Sequence, residues 1–148
     1  MDDVAGVFSA PICTLLSSSL TKLHFWEGKE VERFTPEQEK ALQSLTSLEE
    51  IGFWSCNKLQ CLPAGLHRLP NLKRLYIYDC AAIQSLPKDG LPSSLQELEI
   101  DKCPAILSLP KVADLPSSLR VLDVRDSKSE ELKRQCRKLI GTIPIVKA

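Results

Sequence analysis

The chain has 148 residues, of which 43% are apolar and 26% charged, a composition that suits one soluble domain. Nineteen acidic and nineteen basic residues cancel, so the net charge gives no reason to expect nucleic acid or an anionic membrane as a partner. No apolar stretch approaches the ~20 residues that a membrane-spanning helix needs. The start, Met-Asp-Asp-Val, lacks the basic and apolar segments of a signal peptide, which favours a cytoplasmic or nucleocytoplasmic location.

Five copies of the pattern L-x-x-L-x-L follow one another along the chain. They begin at Leu20, Leu48, Leu72, Leu95 and Leu119, so that successive copies start 28, 24, 23 and 24 residues apart. In each copy the last two apolar positions alternate with other residues, as in a short strand with one buried face. This period is typical of leucine-rich repeats, which stack because one repeat cannot bury its own apolar face. We therefore predict an α/β solenoid of about five coils with a parallel concave sheet.

The predicted elements alternate between strands and connecting segments. The repeats place the five strands near 21–26, 49–54, 73–78, 96–101 and 120–125. After the first strand, Thr35-Pro36-Glu37-Gln38 has the N-cap, proline and glutamine of a helix start, which predicts a helix over about 36–45. After the last strand, Ser127 and Glu130 form a capping box. A helix over about 129–140 is therefore expected to cap the last coil.

The capping helix also has a predicted packing face and a predicted end. Apolar residues at helical spacing define the face: Leu132, Cys136, Leu139 and Ile140. Gly141 suits the left-handed conformation of a helix C-cap, and Pro144 prevents the helix from continuing.

These elements imply a single domain, 1–148, with three parts. Residues 1–19 are expected to be the remnant of a preceding coil, 20–127 to hold the repeats, and 128–148 to form the cap and tail. A terminal repeat normally has a polar outer face, which the apolar segment 1–19 does not show. The chain is therefore interpreted as the carboxyl end of a longer solenoid or as a shortened gene product, with its oligomeric state left open.

Three of the six cysteines, Cys56, Cys80 and Cys103, occupy the same position of successive coils. A small side chain with a weak S–H donor can bond a backbone carbonyl of a neighbouring coil from this position. Disulfides are disfavoured in a cytosolic repeat protein, and no Cys/His cluster has the spacing of zinc ligands. We predict reduced, structural thiols and no bound metal.

Charge is distributed unevenly along the chain. Residues 27–50 hold seven acids against three bases, and residues 125–148 hold seven bases against three acids. Both runs are interpreted as solvated faces rather than binding sites.

An enzymatic function is disfavoured. A cysteine hydrolase could pair Cys61 with His67, but Cys61 immediately precedes a Leu-Pro turn and His67 is expected on the convex side. The carboxylates are scattered, without the convergent pocket that acid–base catalysis needs. We predict no catalytic residue and no cofactor.

Strand residues between the buried ones indicate a binding surface on the concave sheet. They form two columns: His24, Gly52, Tyr76, Glu99 and Asp123 in one, and Trp26, Trp54, Tyr78, Asp101 and Arg125 in the other. Aromatic residues are enriched at binding hot spots, although three aromatics in line could equally pack on one another to cover the sheet. The candidate partner-binding residues are Trp26, Trp54, Tyr76, Tyr78, Glu99, Asp101, Arg125, Lys73 and Arg74. Gly52 is expected to leave a gap for a partner side chain.

The coils C-x-x-L-x-x-L-P, the joints L-P-S-S-L and the tail Ser129-Glu-Glu-Leu-Lys-Arg-Gln-Cys136 resemble a known family. They are similar to the carboxy-terminal repeats of plant intracellular immune receptors, the coiled-coil type of nucleotide-binding leucine-rich-repeat proteins, especially those of cereals. The resemblance implies recognition of a pathogen effector or guarded host protein, or contact with the receptor's nucleotide-binding domain. The chain lacks G-x-x-x-x-G-K-[ST], so we expect no bound nucleotide. The alternative is a general interaction scaffold or a truncated regulator outside immunity.

Overall fold

The computed structural model describes residues 19–26 and 31–148 and shows an α/β fold built on one parallel sheet. The strands, in spatial and chain order, are β1 (Lys22–Trp26), β2 (Glu50–Trp54), β3 (Arg74–Tyr78), β4 (Glu97–Asp101), β5 (Val121–Asp123) and β6 (Ile145–Lys147). The helices are α1 (Pro36–Gln43) and α2 (Glu130–Arg137), with short 3-10 helices at Ala64–Arg68 and Val112–Asp114. This architecture is compatible with a leucine-rich-repeat fold. The predicted remnant of a preceding coil lies almost entirely outside the described residues.

The five predicted strands and their parallel pairing are confirmed, but the prediction of a five-stranded sheet is wrong. The tail forms a sixth strand, β6, which pairs in parallel with β5 in the register Val121↔Ile145 and Asp123↔Lys147. An exposed strand edge presents unpaired N–H and C=O groups. Residues of the tail satisfy those groups of β5. The sequence prediction assigns this segment only to the cap and tail.

Helix α1 begins as predicted. The Gln38 backbone N–H donates to Thr35 Oγ1 over 3.2 Å, and the Thr35 N–H donates to Gln38 Oε1 over 2.9 Å, which completes the capping box. The helix ends at Gln43, two residues earlier than predicted.

Helix α2 begins within one residue of the predicted 129, but the predicted N-cap is wrong by two residues. Ser129, not Ser127, is the N-cap and accepts from the Leu132 N–H over 3.1 Å. Ser127 is buried and its hydroxyl oxygen instead accepts from the Ser129 N–H. Ile140 was predicted on the packing face but is 66% exposed, because the helix ends at Arg137 and its periodicity stops there. Gly141 has the expected positive φ of 92°.

The hydrophobic core lies under one face of the sheet. In every repeat the two inward strand positions are buried, as are most of the leucines that begin the frames. Among the residues 19–26 and 31–148, no helix has the length and apolar character to span a bilayer.

The three cysteines at equivalent positions are buried and bond backbone carbonyls of the preceding repeat, as predicted. Cys56 Sγ lies 3.6 Å from the Phe25 carbonyl oxygen, Cys80 Sγ 3.5 Å from that of Phe53, and Cys103 Sγ 3.6 Å from that of Ile77. Hydrogen bonding to the neighbouring thiols, together with burial, raises the pKa of Cys80 far above its usual value, so it stays protonated. The described cysteines are free thiols, and no cluster in the described ranges could hold a metal ion.

The residue before each of these cysteines adopts a left-handed conformation. The φ angles are 54° at Ser55, 52° at Asp79 and 50° at Lys102, although none of them is glycine. Side chains other than glycine are disfavoured in this region. The conformation ends each strand and turns the chain so that the following thiol enters the core.

The Ser-Ser joints connect successive repeats through their hydroxyl groups. Ser94 Oγ donates to the Leu72 carbonyl over 2.7 Å, and Ser118 Oγ donates to the Leu95 carbonyl over 2.6 Å. Asn71 takes the same place one repeat earlier and donates to the Thr46 carbonyl. Polar side chains thus satisfy backbone groups where the chain re-enters each strand.

Candidate functional site

Alternate strand residues project from the sheet face opposite the core, which we call the outer face. The strand register aligns them in three columns: Lys22, Glu50, Arg74, Glu97 and Val121; His24, Gly52, Tyr76, Glu99 and Asp123; Trp26, Trp54, Tyr78 and Asp101. The second and third columns were predicted from the sequence, and the first was not. The prediction for the third column included a fifth member, Arg125, but this residue lies beyond the end of β5.

The three aromatics of the third column, Trp26, Trp54 and Tyr78, form an aromatic stripe across β1, β2 and β3. The rings of Trp26 and Trp54 stack with centroids 5.0 Å apart and planes 10° apart. Trp54 and Tyr78 follow at 5.2 Å with a 38° tilt. The aromatics therefore do pack on one another, yet Trp26 stays 47% exposed. The stripe combines a preformed stack with a surface open to solvent at its β1 end.

The gap predicted at Gly52 is filled from within the chain. A Cβ atom at Gly52 would lie 2.7 Å from Trp54 Nε1 and 3.1 Å from His24 Cδ2. The expectation that a partner side chain enters here is therefore wrong, because the indole edge of Trp54 already occupies the space. In the described part of the chain Trp54 Nε1 is buried and has no hydrogen-bond partner.

Lys102 ends the aromatic stripe on its β4 side and was not identified from the sequence. Its ammonium group donates to the Tyr78 hydroxyl oxygen over 2.8 Å and lies 5.0 Å from the centre of the Tyr78 ring. The hydrogen bond raises the pKa of Lys102 above its ordinary value. Its position in the repeat could have identified it, because Lys102 directly follows β4 and so lies next to the strand-end residue Tyr78 of β3.

Glu50 is the most buried charged residue of the outer face, with 7% of its surface exposed. Its Oε1 lies 2.7 Å from His24 Nε2, and its Oε2 accepts from Arg74 Nε over 2.9 Å and lies 3.9 Å from Lys22 Nζ. Burial acts to raise the pKa of Glu50, but the hydrogen bonds from Arg74 and His24 outweigh it and the pKa is lowered. The interpretation of residues 27–50 as a solvated acidic run is wrong at this position.

The three cations among the candidate residues, Lys73, Arg74 and Arg125, have acidic partners within the chain. Lys73 lies just before β3 and pairs with Glu49 over 2.9 Å. Arg125 turns back to Asp123, with two guanidinium nitrogens 3.1 and 2.9 Å from its carboxylate oxygens. Arg74 binds Glu50, as described above. These cations therefore organise the outer face itself.

The acids Glu99 and Asp101 have no such cation. Within residues 19–26 and 31–148, the Glu99 carboxylate makes no hydrogen bond or ion pair, and Asp101 Oδ1 is buried without a partner. Burial, with the nearby charges of Asp123 and Asp101, raises the pKa of Glu99. Burial, with the charge of Asp126, raises the pKa of Asp101. Lys102 near Asp101, and Lys147 and Arg125 near Glu99, act to lower these pKa values but do not outweigh the burial and the neighbouring acids, so the negative charge of this part of the outer face is only partly offset.

Tyr76 lies between the balanced and the unbalanced parts of the face. Its hydroxyl donates to Glu97 Oε2 over 3.2 Å. Burial, reinforced by the Glu97 charge, raises the pKa of Tyr76 to about 12, so the phenol remains neutral and its ring is held in place.

The two residues of the disfavoured catalytic pair line neighbouring clefts that share Ala64 and Asp89. His67 lines a cleft of about 420 Å³ between α1 and the first 3-10 helix, where its Nδ1 lies 3.1 Å from the Ala64 carbonyl oxygen. Cys61 is exposed and lines a separate cleft of about 260 Å³ with Leu86.

Comparison with known proteins finds a partial likeness to a plant protein. No protein-family model matches the chain. A stretch of 72 residues is 33% identical to the disease resistance protein RPP5 of Arabidopsis thaliana. The stretch covers 49% of this chain and 5% of that protein. The chain is therefore similar, over about half of its length, to a small region of a plant disease-resistance protein.

Proposed function

We propose that this chain is a non-catalytic protein-recognition module of plant innate immunity, built as a leucine-rich-repeat solenoid of the kind found in nucleotide-binding receptors. The outer face is its concave surface and binds the partner. The observation that carries the proposal is the aromatic stripe, which lies across three register-matched strands and stays exposed at Trp26. The likeness to RPP5 supports the immune role.

The stripe has the physical properties of a binding hot spot. Large aromatic rings supply most of the affinity in many interfaces. Trp26 and Trp54 are already stacked, so a partner does not have to order them, and the entropy lost on binding is small. Tyr78 is also ordered before binding, by its hydrogen bond from Lys102. The proposed partner is a cytoplasmic protein: a pathogen effector, a guarded host protein, or the nucleotide-binding domain of a coiled-coil receptor such as those of cereals.

We propose no catalytic or nucleotide-binding role for the chain. The His67 imidazole bonds the Ala64 carbonyl oxygen, and within the described residues no hydrogen bond joins it to Cys61, which supports the first point. The lack of a phosphate-binding motif supports the second.

The proposal is tested by identifying a partner from the outer face and then measuring its affinity. A photo-crosslinking phenylalanine analogue is placed at Trp26, and in a control chain at exposed Gln84 on the other side of the molecule. A protein crosslinked from infected leaf extract only at the first position is purified. Trp54→Ala and Tyr78→Ala should each weaken its binding by about 2 kcal/mol or more, roughly 30-fold.

The matched controls are His67→Ala and Gln84→Ala, which should leave the affinity unchanged. Thermal stability is measured for all four variants, since a loss of stability without a loss of affinity would assign the aromatics to packing alone. Equal losses of affinity from the control variants would place the binding surface elsewhere. The immune role is tested by co-expression with the partner in leaves, where the intact chain, but not Trp54→Ala, should alter the defence cell-death response.

A further inference from the structure

The outer face is electrostatically balanced except on β4. Glu50 has two cationic neighbours, Lys22 and Arg74, and a hydrogen-bonded imidazole, while Asp123 is held by Arg125 and by Lys147, whose Nζ lies 3.7 Å away. Glu99 and Asp101 form no ion pair in the described part of the chain, although the charge of Lys102 acts on Asp101 and the charges of Lys147 and Arg125 act on Glu99 from farther away. A partner that covered these two acids with apolar or acidic groups would leave their charges buried and unpaired, which is costly.

The two acids lie beside two tyrosines in a regular arrangement. The register pairs Tyr76 with Glu99 and Tyr78 with Asp101. Neighbouring strands are about 4.8 Å apart and alternate residues of one strand about 7 Å apart, so the four residues mark a rectangle of roughly 5 by 7 Å. We call Tyr76, Tyr78, Glu99 and Asp101 the β3–β4 quartet. Both tyrosine hydroxyls already have partners, so the rings are fixed beside the carboxylates.

This arrangement suits a planar cation. A guanidinium group has five N–H donors in a fixed fork and can donate to two carboxylates at once. Its flat face is also attracted to aromatic rings. An ammonium group supplies the charge but not the planar geometry. The Asp101 carboxylate has acceptor capacity that the described residues leave unused, since its buried Oδ1 has no hydrogen-bond partner.

We propose that the partner presents an arginine side chain to the β3–β4 quartet, on a basic protein segment whose apolar residues cover Trp54 and Trp26. The inference rests on the proposed function, in which the outer face binds a protein. A chain segment is favoured over a free small cation because the acids on β4 and the exposed end of the stripe on β1 are three strand spacings apart, about 14 Å. One ligand reaches both parts only if it carries a cation and apolar groups along its length.

The probe is a tryptophan-free synthetic peptide of alternating arginine and leucine, compared with the same peptide carrying neutral citrulline in place of arginine. Binding to the purified full chain is followed by tryptophan fluorescence, because the chain has two tryptophans and both belong to the stripe. The arginine peptide should bind at least tenfold more tightly than the citrulline peptide at low salt. The double variant Glu99→Gln/Asp101→Asn should abolish this preference.

The control is the double variant Glu37→Gln/Asp89→Asn, which removes two exposed acids away from the outer face and should retain the preference. Neither Glu99 nor Asp101 forms an ion pair, and an asparagine oxygen at 101 can still accept from the Lys102 N–H, so the thermal midpoint of the double variant should stay close to that of wild type. Measuring that midpoint separates a lost preference from unfolding. Equal binding of the two peptides, binding of neither, or a preference that persists in Glu99→Gln/Asp101→Asn would overturn the assignment.

The two proposals can fail separately. A partner protein that loses affinity with Trp54→Ala but not with Glu99→Gln/Asp101→Asn would refute the quartet and leave the proposed function standing. An arginine preference that depends on the quartet, combined with partner affinity insensitive to Trp54→Ala, would instead refute the stripe as the recognition surface.

Discussion

Replacement of Glu50 by glutamine tests how the outer face is held together. Glu50→Gln keeps the size and shape of the side chain but removes the charge that holds Arg74, His24 and Lys22. The oxygen of the glutamine amide can still accept from Arg74, but an NH₂ group replaces the carboxylate oxygen that bonds His24. The variant therefore separates the charge of Glu50 from its packing.

The expected magnitude follows from the burial of the group and its partners. Breaking a buried, hydrogen-bonded ion pair typically costs 3–5 kcal/mol. Glu50 is buried, but the side chains of His24, Arg74 and Lys22 are 28%, 31% and 62% exposed and can regain water when the pair is lost. We therefore expect Glu50→Gln to lower the free energy of unfolding by about 1–3 kcal/mol at neutral pH, nearer the value of a charge-assisted hydrogen bond.

Urea denaturation of wild type and variant at several pH values measures this effect and its sign. The folded-state pKa of Glu50 is lowered from the ordinary 4.5, so the stabilisation is present above that value and is lost as the pH falls through the lowered folded-state pKa. The difference between wild type and Glu50→Gln should therefore be full at neutral pH and shrink in acid.

Glu49→Gln is the matched control, since Glu49 is the preceding residue and its pair with Lys73 is exposed. Exposed ion pairs contribute little, so this variant should change the stability much less than Glu50→Gln. A loss in Glu50→Gln no larger than in Glu49→Gln, or one that persists unchanged at low pH, would refute the view that Glu50 organises this part of the face.

Two further predictions concern packing. Gly52→Ala places a methyl group 2.7 Å from Trp54 Nε1 and should lower the free energy of unfolding by about 1 kcal/mol while weakening the far-ultraviolet exciton signal of the stacked tryptophans; an unchanged signal would show that the indole does not fill this space. Cys80→Ser should lower the free energy of unfolding by about 1–3 kcal/mol in a denaturant titration, because a hydroxyl is costlier to bury than a thiol. The exposed Cys61→Ser is its control, and equal effects of the two changes would contradict a structural role for Cys80.

The sequence alone determined the features that depend on short-range pattern. The repeat spacing predicted the five strands to within two residues, because inward and outward positions must alternate along a strand. The same spacing placed Cys56, Cys80 and Cys103 beneath equivalent turns, where each thiol bonds the preceding repeat. It also predicted which aromatics lie in line, since parallel repeats in register align equivalent residues.

The tertiary structure decided what depends on contacts between distant residues. Glu50 is one of seven acids in its stretch of sequence, and only the neighbouring strands, 26 and 24 residues away, supply His24 and Arg74 to pair with it. The space at Gly52 is filled by a rotamer of Trp54, which no sequence pattern specifies. Strand β6 forms because β5 offers an unpaired edge once the tail turns back beside it. Local pattern fixes which face a residue occupies, whereas its charge partners and its packing neighbours are set by side chains that only the folded sheet brings together.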